Sequence, residues 1–304
     1  MGNNELKANI SLFVARIFSG LNMNAMKFLL PVWIAPLECV LLRLLFGTLV
    51  FWVIGIFEKP DTSSLSDRVK LFFLGGVAVY GYMALYAVGI NLTTPISLAI
   101  FNAMQPIWVL ILSAIFLREK ITSDKTLGII VGFSGALLCS LSQPDETLAS
   151  NPLLGNMLGL ICSICYAVYL LLSGSIVKRV GNMTMLRYTF LGATTSAVVV
   201  TLFTGFDAPM FSQPLHWEPL AVFAFVLIFP TVISYLLLPF GLKYLKTTVV
   251  AIYGYLTLFV ATVVSLLTGQ DRLDDMQLSA LALMCLGIYW VSVSERISDD
   301  EKGR

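Results

Sequence analysis

Four ionisable side chains, Arg16, Lys27, Glu38 and Arg43, fall inside long apolar stretches of the chain. In hydrocarbon such a group costs about 2.5–3.5 kcal/mol on insertion scales, so it marks a ligand site, an ion pair or a proton relay. Arg16, Gly20, Asn24 and Lys27 share one face of a helix, within about 80° on a wheel. That stripe belongs toward a cavity or other helices; snorkelling to the headgroups is the competing use of Lys27 and Arg16. Lys27 and Glu38 fall near one level, which suggests an ion pair. Arg43, five positions after Glu38, is turned about 140° away from it. A carboxylate in a cleft can carry a proton, so Glu38 is a candidate for coupling, with a structural pair to Lys27 as the alternative.

Uncharged polar groups form a second set. Tyr82 and Tyr86 share a helix face, as do Asn102 and Gln105, then Tyr166, Tyr169 and Ser173, then Tyr253 and Thr257; Ser234 and Tyr235 lie between Pro230 and Pro239. Buried amides and hydroxyls need partners in lipid. Pooled with Asn24 around one axis, they make a tyrosine-walled cavity suited to small amphipathic molecules. Taken singly, each also serves as an interhelical hydrogen bond. Pro106, Pro230 and Pro239 interrupt backbone ladders and are candidate hinges. The arginines and Lys27 favour a carboxylate on the ligand, and the sparse charge disfavours a highly anionic one.

These residues need helices that cross a bilayer. The 304 residues are 58% hydrophobic and 12% charged, with a mean hydropathy of +0.86. Soluble chains run at about 25% charged, so a soluble enzyme or a disordered chain is excluded, and the net charge of +1 gives no footprint for nucleic acid. Ten apolar stretches approach the roughly 20 residues that a crossing needs, at 9–30, 35–57, 70–90, 94–117, 126–142, 154–176, 185–206, 219–242, 248–268 and 276–294. The first has polar residues that a signal peptide's apolar core would not tolerate.

With the N-terminus inside, fifteen of the nineteen lysines and arginines fall in cytoplasmic segments, as the positive-inside rule requires. Only Lys27 and Arg272 lie outside, and Asp145, Glu146, Asp207, Glu218, Asp271, Asp274 and Asp275 populate the outer loops. Both termini are therefore expected in the cytoplasm of a cell with the protein in its plasma or inner membrane.

Residues 82–135 overlie 234–287 at a shift of 152, matching Gly89 with Gly241, Ala99 with Ala251, Ile100 with Ile252, Ser113 with Ser265 and Gly135 with Gly287. Glu119-Lys120-Ile121 and Asp271-Arg272-Leu273 close the two matched helices. The expected fold is all-α and membrane-integral: ten transmembrane helices as two inverted five-helix repeats, 1–142 and 154–297, joined by an outer linker at 143–153 and ending in a tail at 298–304. Inverted repeats are a plan of secondary transporters, with the substrate between halves.

The stretch ALYAVGINLTTPISLAIFNAMQPIWVLILSAIFLREKIT, residues 84–122, resembles the centre of the EamA-type module of the drug/metabolite transporter superfamily. Thr93-Thr94, Pro106 and Phe116-Leu117-Arg118-Glu119 carry the likeness, and Lys27 and Arg43 fit the first module. The second module departs from it with Leu258 where a proline is expected and Asp271 where glutamate is usual. The resemblance implies a carrier of small metabolites, often an exporter, with an alternating-access cavity.

Other signals point away from chemistry. Cys162 and Cys165 have metal spacing but lie in an apolar span, as do Cys39, Cys139 and Cys285, and read as packing residues. His216 sits beside Trp217 in a loop. The acids at 271–275 form one outer cluster. No phosphate-binding loop is present. The expected partners are a small-molecule solute and the lipid bilayer, with no nucleic acid, metal or cofactor, and the chain works as monomer or homodimer. The alternatives are a flippase for lipid-linked substrates, which needs a lateral opening, an intramembrane transferase, which needs clustered acids or histidine, and a receptor or assembly factor.

Overall fold

Proline starts and glycine stops frame the helices. A computed structural model describes residues 3–302 apart from 59–60, 62, 118–122, 142–147, 213–215, 246 and 273. The junction Glu119-Lys120-Ile121, and Arg118, Asp145, Glu146 and Leu273, lie outside the described residues. The helices are α1 (Asn3–Leu29), α2 (Pro36–Ile56), α3 (Leu65–Leu74), α4 (Tyr80–Leu92), α5 (Pro95–Asn102), α6 (Gln105–Leu117), α7 (Ser123–Leu141), α8 (Pro152–Val180), α9 (Asn182–Thr204), α10 (Trp217–Val226), α11 (Ser234–Tyr244), α12 (Thr247–Ile252), α13 (Gly254–Thr268) and α14 (Asp275–Lys302). Among the described residues there is no strand. Pro36, Pro95 and Pro152 open α2, α5 and α8, where the missing N–H is no loss. Thr94 and Asn151 cap the latter two by accepting from the Ser97 and Leu154 amides at 3.3 and 3.2 Å. Gly181, Gly205 and Gly269 take φ of 86°, 88° and 70° after α8, α9 and α13, a region that favours glycine.

Seven helical stretches are long and apolar enough to cross a membrane: Pro36–Ile56, Leu65–Leu92, Pro95–Phe116, Pro152–Val180, Asn182–Thr204, Trp217–Tyr244 and Val249–Thr268. They occupy expected spans two, three, four, six, seven, eight and nine. The places of spans one, five and ten hold α1, α7 and α14. The apolar parts of the last two are shorter, Thr126–Cys139 and Asp275–Gly287, and α1 is diluted by Arg16, Asn22, Asn24 and Lys27. Large apolar side chains such as Ile56, Phe73, Val77, Leu202, Phe203 and Leu267 are exposed around the bundle, as a lipid-facing surface requires.

Four of the seven spans are irregular, and the π turns and the helix starts match at the shift of 152, while the second helix break falls two residues early. A π-helical turn at Gly75–Val79 joins α3 to α4, and another at Leu227–Ile233 joins α10 to α11; 75 plus 152 is 227. α5 and α12 begin at 95 and 247, and α7 and α14 at 123 and 275. The break between α5 and α6 falls at Ala103-Met104, and that between α12 and α13 at Tyr253. Pro106 thus stands as the second residue of α6, not as a kink inside a helix. The second break forms without a proline. Pro230 lies within its π turn, while α11 runs unbroken through Pro239.

Packing crosses between 3–141 and 152–302 throughout. α1 lies against α11 and α13, α8 against α4, α5 and α6, α2 against α9, and α7 against α14. Thr48 and Thr194 hydroxyls join α2 to α9 at 2.7 Å, and Phe190 packs edge-on to Phe51 and Tyr235. The tightest approach is at Gly75 and Gly192: a Cβ on the former would fall on the Thr189 carbonyl, and one on the latter on the Phe72 carbonyl. Overpacking costs typically about 1–3 kcal/mol, so Gly75→Leu or Gly192→Leu lowers the melting temperature of detergent-solubilised protein. Gly81→Ala, whose Cβ meets only Cys165 Sγ at 3.6 Å, leaves it unchanged or raised. Equal melting of all three variants would dismiss the close contact as a stability determinant.

Candidate functional site: a cavity at two broken helices

α1, α2, α4, α5, α6, α8, α11 and α13 together surround a narrow cavity of about 50 Å³. Arg16, Arg43, Tyr82, Tyr86, Asn102, Gln105, Tyr166, Tyr235, Pro230, Ser234 and Thr257 line it. The tyrosines and amides proposed from helix faces converge here with Arg43 and the hinge candidate Pro230 because Asn102 and Gln105 flank the first break while Gly254 and Thr257 follow the second.

Pro230 sets the position of Arg43. It has no N–H for the Val226 carbonyl, and the Thr231 hydroxyl donates to that carbonyl instead, at 2.8 Å. Ser234 likewise serves the Phe229 carbonyl at 3.1 Å. The Thr231 oxygen then accepts from Arg43 Nε at 2.9 Å. Arg16 donates to the Val250 carbonyl in the last turn of α12, at 3.1 Å, the helix end that favours a cation. Its guanidinium also lies 5.6 Å from the Tyr166 ring centre. Tyr82 packs on Tyr166 at 4.7 Å, and Tyr86 Oη accepts from Asn22 Nδ2 at 3.2 Å.

Other expected residues lie elsewhere. Asn24 is turned from the cavity and donates to the Ala261 carbonyl of α13 at 3.2 Å. Tyr169 is buried behind Tyr166, ring centres 6.0 Å apart. Tyr253 donates to Asn9 Oδ1 at 2.8 Å, near the start of α1. Glu38 is buried on α2 but not in the lining. The expected Lys27–Glu38 pair is not formed: Lys27 Nζ donates to the Ile90 and Thr93 carbonyls at 3.2 and 2.7 Å, at the end of α4. The wheel reading missed Ser19, Asn22 and Met23 on the cavity side of α1. Asn22 is legible as a polar residue in an apolar helix, but the stripe through Gly20 and Asn24 faces α13, where Gly20 abuts Val260 and Thr257.

At the Lys27 end the α4–α5 turn is held from three sides. Asp271 Oδ2 accepts from the Ile96 amide of α5 at 3.1 Å. Thr93 donates to Asn156 of α8 at 2.9 Å, and Gln277 of α14 to Ser97 at 3.3 Å. A cation thus sits on the C-terminus of α4 and an anion on the N-terminus of α5, each the favoured sign.

The model of the EamA-like transporter family matches this chain twice, over residues 6–141 and 153–293. The chain belongs to that family. Its relatives include the uncharacterized transporter YyaM of Bacillus subtilis (strain 168), 27% identical over 96% of both chains. An uncharacterized transporter of Archaeoglobus fulgidus is 29% identical over 94% of this chain and 99% of its own. A solved crystal structure superposes with a TM-score of 0.66 at 18% identity, covering 94% of this chain and 97% of that one, a likeness of fold. This EamA-like chain is accordingly a multi-pass membrane protein of a transporter family.

Asp271 is the buried acid of its α13–α14 loop. Burial raises its carboxyl above the ordinary range, and hydrogen bonds from Thr94, Arg272 and Ile96 pull it back only in part. The folded state therefore binds this proton more readily than the unfolded one. Stability falls as pH rises from the ordinary carboxylate range through the raised value, and is flat above it. Melting curves against pH will show this slope in the native protein and a shallower one in Asp271→Asn; identical slopes would remove Asp271 from the account. Asp271→Ala, which strips the Ile96 amide of its acceptor, costs about 1–3 kcal/mol.

Proposed function

We propose that this EamA-like protein is a secondary carrier of small metabolites or drugs, working as an exporter by alternating access. The supporting observation is the cavity itself. It lies where two broken helices from the two halves meet, is lined from both, and belongs to a chain of a transporter family. Discontinuous helices at a repeat interface are where carriers expose backbone and polar groups to a solute. In this reading the chain is ten membrane helices, α1, α7 and α14 completing the seven apolar spans, arranged as two inverted halves at 1–142 and 154–297 with both termini in the cytoplasm. The halves rock about the cavity and open it to one side at a time.

A flippase needs a lateral entry joined to the site. An apolar groove between α1, α10 and α13 does face outward, lined by Phe28, Val222 and Phe225 among others, but it shares no residue with the cavity. The carrier reading is therefore preferred.

Counterflow in proteoliposomes tests it. Vesicles preloaded with a metabolite extract of the producing cells will accumulate labelled solute above empty vesicles, and Gln105→Ala and Asn102→Ala will cut the rate by about tenfold or more, the loss of one or two directional hydrogen bonds. Failure across amino acids, nucleosides, sugars and drugs sinks the reading. Proton coupling is assigned to Glu38, buried on α2. Full pH-driven transport in Glu38→Gln would end that assignment.

A further inference from the structure

We propose that the species held in the cavity is an organic anion, its carboxylate seated between Arg16 and Arg43 and a hydroxyl or amide N–H on its body bound opposite. The inference rests on the carrier reading for the cavity's role, and adds the charge of the cargo.

Both guanidinium groups are almost fully out of solvent, with 5% and 4% exposure, and neither has a carboxylate partner among the described residues. The lining contains no aspartate or glutamate. Arg16 Nε has no hydrogen-bond partner among the described residues. Beyond Thr231, Arg43 reaches only the Met26 sulfur, at 3.7 Å, a weak acceptor. Two buried cations without a counter-ion are costly, and a forked guanidinium fits a carboxylate in two-point contact. The remaining intramembrane cation differs. Lys27 has two carbonyl acceptors and lies within electrostatic reach of Asp271. Charge is thus matched at the Lys27 end and unmatched in the cavity.

The same cavity holds two buried acceptors without donors, Asn22 Oδ1 and Gln105 Oε1. A ligand hydroxyl or amide N–H satisfies them. Tyr235 shares the lining with both arginines, and Met23, Met83 and Leu238 give it an apolar wall for the body of the ligand. A zwitterion would bring its ammonium into a cavity with no acid to meet it, and a cationic drug would add a third positive charge.

The probes are 4-hydroxybenzoate, its neutral methyl ester, tyramine and tyrosine, added at millimolar concentration to the purified full chain. The expected result is a melting-temperature rise with 4-hydroxybenzoate alone, weakened at least about tenfold in apparent affinity by Arg43→Gln or Arg16→Gln and partly restored by Arg43→Lys. Each variant is first checked for an unchanged elution profile; where one fails to fold, the ligand comparison on the native chain decides. An equal or larger response to the ester, tyramine or tyrosine overturns the proposal, as does no response to the carboxylate. Counterflow of 4-hydroxybenzoate separates the two readings. Binding without flux retains the anion site and removes the carrier, whereas flux of the amine or ester without anion preference retains the carrier and removes the anion site.

Discussion

A helix broken inside a bilayer leaves amides and carbonyls that lipid cannot satisfy, and the rest of this structure is organised around that constraint. Four spans are interrupted, two by π turns and two by full breaks, and side chains answer the interruptions. Thr231 and Ser234 serve the carbonyls around Pro230. Lys27 serves the end of α4, Arg16 the end of α12 and Asp271 the start of α5. Of the intramembrane charges, Lys27 and Arg16 are thus bound to helix ends and not to an ion partner. This also explains how they are tolerated: a helix end provides a fixed partial charge of opposite sign where an ion partner is missing.

How far this was legible in the residues depends on which level is asked. The all-helical architecture and the family follow from apolar runs and the 84–122 pattern. Tyr82, Tyr86, Asn102, Gln105 and Tyr166 were legible because an uncharged polar group in an apolar helix has few alternatives to an interior site. Asn24, Tyr169 and Tyr253 were misplaced for one reason: a helical wheel gives a face, but not which neighbour stands opposite. Tyr169 is on the same side of α8 as Tyr166 yet one turn beyond the cavity. The π turns were invisible, since Gly75-Gly76 and Pro230 signal irregularity without its kind. Level alone suggests Lys27 as the partner of Glu38, but the carbonyls at the buried end of α4 take the ammonium instead.

The two halves match in backbone but not in chemistry. The π turns coincide at the shift of 152, yet one is built from Gly75-Gly76, which lets α9 approach, and the other from Pro230-Thr231, which positions a cation. Both cavity arginines come from the first half, on α1 and α2. The second half supplies what holds them: Val250, Thr231 and the Tyr166 ring. A shared frame with divided roles means that relative movement of the halves changes the environment of both charges together.

That movement meets polar contacts between the halves at both ends. At the Lys27 end, several polar contacts cross between the halves: Thr93 to Asn156, Ile96 to Asp271, Gln277 to Ser97, Gln270 to the Asn24 carbonyl, and the Asn151 amide to the Leu92 carbonyl. Each such bond contributes about 0.5–1.5 kcal/mol net. At the other end, Tyr253 donates to Asn9, and the Arg179–Asp67 and Arg187–Asp61 ion pairs also join the halves. In the proposed rocking cycle, opening at the Lys27 end must replace these bonds with others, and opening at the opposite end must break the two ion pairs. Arg16 and Arg43 sit between the two ends, each anchored across the interface by a single conventional hydrogen bond. A ligand that engages both binds each half through its own anchors. Its binding energy is then available to offset the loss of contacts at either end, which is the differential stabilisation that any ligand-driven shift between conformations requires.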